Sequence, residues 1–190
     1  MIFMIPTQLA VLSLVFGSLL PGCGATHTRA LPDLAVVPKV EIDRYIGTWY
    51  EIARYPNRFQ KECEAVTADY SLRDDGKIRV VNACRKGGLE GPMKRIEGKA
   101  WVVDRQTNAK LKVQFFWPFR GSYWIIDLGK DYEYAVVGHP NRKYLWILSR
   151  SPQMPPEVYE AIVGRLPAKG YDPGRLQRTL QPLPEERPHP

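Results

Sequence analysis

The sequence predicts an all-β fold: an eight-stranded antiparallel up-and-down β-barrel with one C-terminal α-helix packed on its outside. Three observations predict it. Segments in which side chains alternate between two faces recur from Gly47 to Arg150, each separated from the next by turn residues. Nearly all the connections are short, and eight such strands left as an open sheet would expose two bare edges that closure removes. The first and last segments carry a matched pair. Gly47-Thr48-Trp49-Tyr50-Glu51-Ile52-Ala53-Arg54 sends Trp49, Glu51 and Ala53 to one face, and Tyr144-Leu145-Trp146-Ile147-Leu148-Ser149-Arg150 ends in an arginine. An indole early and a guanidinium late predict a cation–π pair, Trp49 with Arg150, closing one end of the barrel.

The first strand spans residues 47–55, and the glycine at its head permits a close backbone approach. A loop over 56–60 follows, with Phe59 set against the barrel rim. The second strand, 64–73, turns at Asp74-Asp75-Gly76, where glycine supplies a positive φ, into the third, 77–84. A glycine-rich loop over 85–93 leads to the fourth strand, 94–104, and a short link to the fifth, 109–116. Trp117-Pro118-Phe119-Arg120-Gly121 turns the chain into the sixth, 122–128; the seventh spans 132–138 and the eighth 143–150. Pro155 and Pro156 then suit a helical first turn, and Val158, Ala161, Ile162 and Arg165 recur at helical spacing, predicting a helix over 157–166. Gly170 and Pro173 break that pattern, and a short extended piece, 176–180, lies beside the sheet. Eight strands close around a space wide enough for one small ligand.

A chain of 190 residues, 44% hydrophobic and 25% charged, suits one globular domain. Its net charge of +7 is spread among acidic neighbours, which implies a solvated, mildly basic surface and a weak attraction to anionic lipid. Without a basic stripe or a binding motif, nucleic acid is not an expected partner. The first 22 residues carry no charged side chain, and Leu9 to Leu20 form an apolar run of signal-peptide length. It ends in Leu20-Pro21-Gly22-Cys23, which resembles a bacterial lipobox, although Pro21 replaces the usual small residue and no Lys or Arg precedes Leu9. That resemblance implies a lipidated Cys23, and Gly24 in place of an aspartate leans towards the outer membrane. The expected organisation is a signal peptide at 1–22, a lipidated N-terminus and tether at 23–38, a barrel domain at 39–181 and a disordered proline-rich tail at 182–190.

Two cysteines remain, Cys63 and Cys84, flanking the hairpin that turns near Asp75. Pairing across that turn sets Cys63 near Arg85, so the two thiols are close enough for a disulfide, which an exported protein would keep oxidised; two free thiols are the alternative. No Cys-x-x-Cys motif, Ser-His pair or metal-ligand cluster is present, and His139 is the domain's only histidine. No catalysis, metal or cofactor is expected.

Gly47 to Arg54, Val66 to Leu72, Asp131 to Val137 and Tyr144 to Arg150, four motifs in order and at the right spacing, resemble the lipocalin family over 40–181, and most of all its bacterial outer-membrane lipoproteins. The resemblance implies that Trp49 lies across the closed base with Arg150 packed over it. It implies a carrier of small hydrophobic molecules, here fatty acids or lysophospholipids, serving membrane maintenance. The carrier would be lipid-anchored in the bacterial outer membrane and face the periplasm. Trp49 sets Glu51 and Ala53 inward, and Arg150 does the same for Tyr144, Trp146 and Leu148. Family parity places Ala68, Tyr70 and Leu72, then Ile78, Val80 and Asn82, then Val113 and Phe115, Tyr123 and Ile125, and Tyr134 and Val136 on the inside. From these the expected ligand contacts are Glu51, Ala53, Ala68, Tyr70, Val80, Val113, Phe115, Tyr123, Ile125, Tyr134, Tyr144 and Trp146. Glu51 inside a barrel must be paired, hydrated or protonated, with Tyr144 or Tyr123 as candidate partners. Trp101, Trp124 and Ile126 face outward, either under the helix or on a partner surface such as that of a homodimer. A haem or other tetrapyrrole held by His139, and a structural lipoprotein whose barrel is filled by its own side chains, are the alternative functions.

Overall fold

A computed structural model describes residues 32–183; Cys23 and the expected signal peptide lie outside the described residues. Eight strands form a continuous antiparallel meander: β1 Gly47–Arg54, β2 Cys63–Leu72, β3 Ile78–Lys86, β4 Met93–Val102, β5 Lys110–Gln114, β6 Gly121–Leu128, β7 Tyr134–Gly138 and β8 Leu145–Ser149. Strand β1 pairs with both β2 and β8, so the barrel is closed. A one-turn helix not expected from the sequence, α1 Ile42–Tyr45, precedes β1. Four residues are too few to show a helical repeat. Helix α2, Pro156–Arg165, packs outside the barrel, and Pro156 occupies a first-turn position where its missing N–H costs nothing.

The barrel wall separates two apolar layers. Inside lie Trp49, Tyr70, Val80, Leu111 and Ile125. Outside, beneath α2, lie Ile52, Ile126, Val136, Leu145 and Ile147, packed on Ile162 and Leu166. Trp124 and Ile126 both belong to this outer layer, whereas Trp101 stays on the wall with the Arg120 guanidinium 5.5 Å from its ring.

Bulges in β1 and β6 decide which residues of those strands face in. In β1 the register slips at Ile52: Glu51 opposes Leu148, Ala53 opposes Ile147 and Arg54 opposes Trp146. The extra residue turns Ala53 outward and Arg54 inward, correcting the inward placement expected of Ala53. In β6 the slip falls at Ile126. Across β7 and β8, Ala135 faces Leu148 and Val137 faces Trp146, while Tyr134 faces Ser149 and Val136 faces Ile147. Directly opposed residues share a face. Ala135 and Val137 are therefore the inward pair, and Tyr134 and Val136, expected inside, lie on the outer face. Leu72, also expected inside, is exposed at the end of β2.

Both ends of the described segment are stitched to the barrel. Leu34 is buried in the layer under α2, the Val37 N–H donates to Ile125 O at 3.0 Å, and the Val40 N–H donates to Thr107 O at 2.7 Å. Packing thus begins upstream of residue 39, within the expected tether. At the other end β9, Gln177–Arg178, pairs with β1 and fills the gap where β1 and β2 diverge. The Thr179 N–H donates to Ile52 O, and Gln181 Nε2 donates to the carbonyls of both Glu51 and Val66, each at 2.9 Å. Cys63 and Cys84 form a disulfide between β2 and β3. Closing a loop of 21 residues contributes about 3 kcal/mol in the chain-entropy model. Cys63 sits opposite Lys86 rather than Arg85: the hairpin pairs Leu72 with Ile78, a register that alone would set Cys63 opposite Gly87, and the bulge in β2 between Glu64 and Thr67 brings it back by one.

Candidate functional site

The closed end is built on Gly47. Its φ of +94° lies in the left-handed region, and a Cβ there would stand 3.3 Å from Arg150 Nη1. Glycine therefore lets the arginine reach over the floor. Arg150 lies 3.9 Å from the Trp49 ring centroid and donates to the carbonyls of Arg44, Ile46 and Thr48 at 2.7, 2.9 and 2.9 Å. Trp49 is fully buried and donates Nε1–H to Tyr45 O at 2.8 Å. The helix that the sequence did not reveal thus supplies the carbonyl oxygens that hold both partners of the pair.

Above this floor a cavity of about 770 Å³ opens between the loops at the other end. Ala68, Tyr70, Val80, Val113 and Phe115 line its walls, Tyr123 its base, and Glu51, Tyr144 and Trp146 its upper part. Ile125 is inward but sealed in the core below the cavity, and Ala53 and Tyr134 stand outside the wall. The Tyr134 hydroxyl instead accepts from Arg165 Nη2 of α2 at 3.0 Å. The barrel's aromatic side chains therefore leave the interior unfilled.

Three phenols meet at the cavity base. The Tyr123 hydroxyl is 2.7 Å from that of Tyr45 and 3.0 Å from that of Tyr70. Burial drives all three upward in pKa: Tyr70 to about 12, Tyr45 and Tyr123 well above the usual phenol value. A tyrosine whose folded pKa exceeds its unfolded value of about 10 contributes stability that is complete below pH 10 and lost as pH rises through the folded value. Urea midpoints should therefore hold to about pH 10 and then fall, each such phenol removing about 1.4 kcal/mol per pH unit. Tyr70→Phe should flatten that fall; an unchanged alkaline slope would contradict the assignment.

The upper wall carries a polar network that sequence reasoning missed. Glu51 Oε1 accepts from Arg54 Nη1 and Thr179 Oγ1, both at 2.6 Å, and its Oε2 accepts from Gln60 Nε2 at 2.6 Å. Gln60 Oε1 in turn accepts from Trp146 Nε1 at 2.8 Å. Arg54 is completed by Cys63 O at 3.0 Å and Thr179 Oγ1 at 2.7 Å. The partner of Glu51 is thus Arg54 and not Tyr144 or Tyr123. In an unbroken strand residues three apart lie on opposite faces, so only the bulge at Ile52 brings these two together. Asn82 Oδ1, on the cavity wall, is buried without a hydrogen-bond partner among the described residues. His139 borders the opening, and burial pulls its pKa down. No three His, Cys, Asp or Glu side chains converge on a metal-sized space among the described residues.

A cup sealed at one end, apolar within and open at the other is the architecture of a binder of small hydrophobic molecules. Residues 40–181 match the lipocalin-like domain family, and the chain belongs to the lipocalins. It is 43% identical over 149 residues to the outer membrane lipoprotein Blc of Escherichia coli K12, covering 78% of this chain and 84% of that protein. It is 40% identical over 158 residues to temperature-induced lipocalin-1 of Arabidopsis thaliana, covering 78% and 83%. Among solved structures, insecticyanin of Manduca sexta shares the fold with a TM-score of 0.64 at 20% identity, over 81% of this chain and 86% of that one. No helix among the described residues is long and apolar enough to cross a membrane.

Proposed function

We propose that the protein is a non-enzymatic lipid carrier that binds a fatty acid or lysophospholipid in its barrel and serves membrane maintenance. A lipid on Cys23 holds it to the outer membrane, facing the periplasm. The observation that carries this reading is the cavity of about 770 Å³, apolar along its walls and open at one end. Its polar features suit an acyl chain with a head group. The unpartnered Asn82 Oδ1 offers an acceptor to a ligand hydroxyl, and Arg58, Lys94, Arg95 and Arg120 border the opening, where an anionic head group would rest. Burying ten methylenes yields about 8 kcal/mol before ordering costs, which leaves micromolar affinity at best and permits release. The likeness to an outer membrane lipoprotein supports the location.

The test uses the chain from residue 23 with Cys23→Ser, purified without detergent. Native mass spectrometry followed by organic extraction should yield a bound fatty acid or lysophospholipid. Val113→Trp, which fills the cavity from its wall, should weaken binding of a fluorescent fatty acid by roughly tenfold or more while the fold is retained. An empty protein that binds no fluorescent fatty acid, or a Val113→Trp variant that binds it as tightly as the parent, would overturn the carrier.

A further inference from the structure

We infer that the open end of the barrel docks on an anionic lipid surface, with Phe116, Trp117 and Phe119 entering the bilayer interface. The β5–β6 loop exposes these three aromatics within four residues: Phe116 is 66% exposed, Trp117 84% and Phe119 76%. Phe59, 59% exposed, stands at the same opening on the β1–β2 loop. Scattered exposed apolar side chains are ordinary, but four aromatics around one opening form a patch, and aromatic rings favour the membrane–water interface.

Charge selects lipid as the occupant. Arg58, Lys86, Lys94, Arg95 and Arg120 border the same opening, and none of them is in a salt bridge among the described residues. The one carboxylate bordering the cavity, Glu51, is buried against Arg54. Glu62 and Glu90 are exposed on the adjoining loops, so the open end keeps an excess of positive charge. Apolar tips within a basic collar match the interface of a bilayer that contains anionic lipid.

The path of the N-terminal segment points the same way. Pro32 O accepts from Arg142 Nη2 in the β7–β8 loop, which is at the open end. From there the chain descends along the outside of the barrel to Val40, bonded to Thr107 in the β4–β5 loop at the closed end. Pro32, the first described residue, therefore stands at the open end. Cys23 lies nine positions earlier, a reach of roughly 30 Å at full extension. This last support rests on the proposed lipidation of Cys23; the aromatic tips and the basic collar do not. An anchor attached there would hold the opening, and not the Trp49–Arg150 floor, towards the bilayer.

The experiment uses the chain from residue 23 with Cys23→Ser, so that neither the apolar leader of residues 1–22 nor a lipid contributes. It should co-sediment with phosphatidylcholine vesicles containing phosphatidylglycerol, and less with phosphatidylcholine alone. Phe116→Ser/Trp117→Ser/Phe119→Ser should lower partitioning roughly tenfold or more, and Lys94→Glu and Arg95→Glu by about fivefold each. Brominated lipid should quench parent fluorescence but spare Trp117→Phe of that component. Trp117→Ser, the one of the three that does not line the cavity, should bind a fluorescent fatty acid in vesicle-free solution as the parent does, which separates docking from the carrier function. Docking is overturned if the parent ignores phosphatidylglycerol vesicles, or if the folded triple variant partitions like the parent. It is equally overturned if the triple substitution dissolves a dimer of the parent in solution while vesicles bind neither, since the patch then joins two copies of the chain.

Discussion

Trp49→Ala should lower the unfolding free energy by about 3–5 kcal/mol, read from urea denaturation. The indole is fully buried beneath Arg150 and in contact with Tyr45, whose ring centroid is 5.0 Å away. Its removal leaves a void at the barrel floor, where β1 and the preceding helical turn cannot collapse without dragging the Arg150 contacts with them. Arg150→Met should cost less, because the guanidinium is partly solvated and a cation–π pair contributes about 0.5–2 kcal/mol. The two substitutions should be strongly non-additive, with a coupling energy of about 1–2 kcal/mol in a double-mutant cycle. Additive losses would show that Arg150 acts through its carbonyl acceptors alone and owes nothing to the ring.

Arg54→Met should be comparably damaging, at about 3–5 kcal/mol, for a different reason. It leaves the Glu51 carboxylate buried with Thr179 and Gln60 but without its counter-charge, 2.6 Å away in the native protein. Replacing both members, Glu51→Leu with Arg54→Met, should restore most of the loss, because an apolar pair of similar volume carries no desolvation penalty. The measurement is the denaturation midpoint of the two single variants and the double. A double variant no more stable than Arg54→Met would mean that the pair's many hydrogen bonds, not the stranded charge, set the cost. Gln60 and Trp146 extend the same network into the cavity wall, so Arg54→Met should also loosen the upper wall that a ligand would touch.

The barrel was legible because its signals are local. Alternation and short turns survive without knowledge of the neighbours, and so does the start of α2 at its prolines; the Trp49–Arg150 pair, 101 positions apart, was legible through the motifs that carry its two members. Of the expected contacts, Ala68, Tyr70, Val80, Val113, Phe115, Tyr123, Tyr144, Trp146 and Glu51 do line the cavity. The parts that were not legible depend on register. Ala53 lies outside because a single inserted residue at Ile52 reverses the face of every later position in β1, and Tyr134 because the pairing of β7 with β8 fixes it opposite Ser149. A bulge leaves no mark in an alternating apolar pattern when both faces of the strand are buried, as both are from Glu51 to Tyr55. Gln60 and Thr179 were missed for a related reason. They reach Glu51 from a loop and from the segment after the last strand, and only closure of the sheet brings those segments together.

The stitch made by residues 177–181 gives the barrel an order of completion. Thr179 and Gln181 close the seam beside Glu51 and Arg54, yet they come 128 and 130 positions after Glu51. A chain emerging from its N-terminus during synthesis has its first strand long before the segment that finishes that strand's polar core. Until the final residues arrive, the Glu51–Arg54 neighbourhood stays open to water. The cup therefore seals last beside the place where it began.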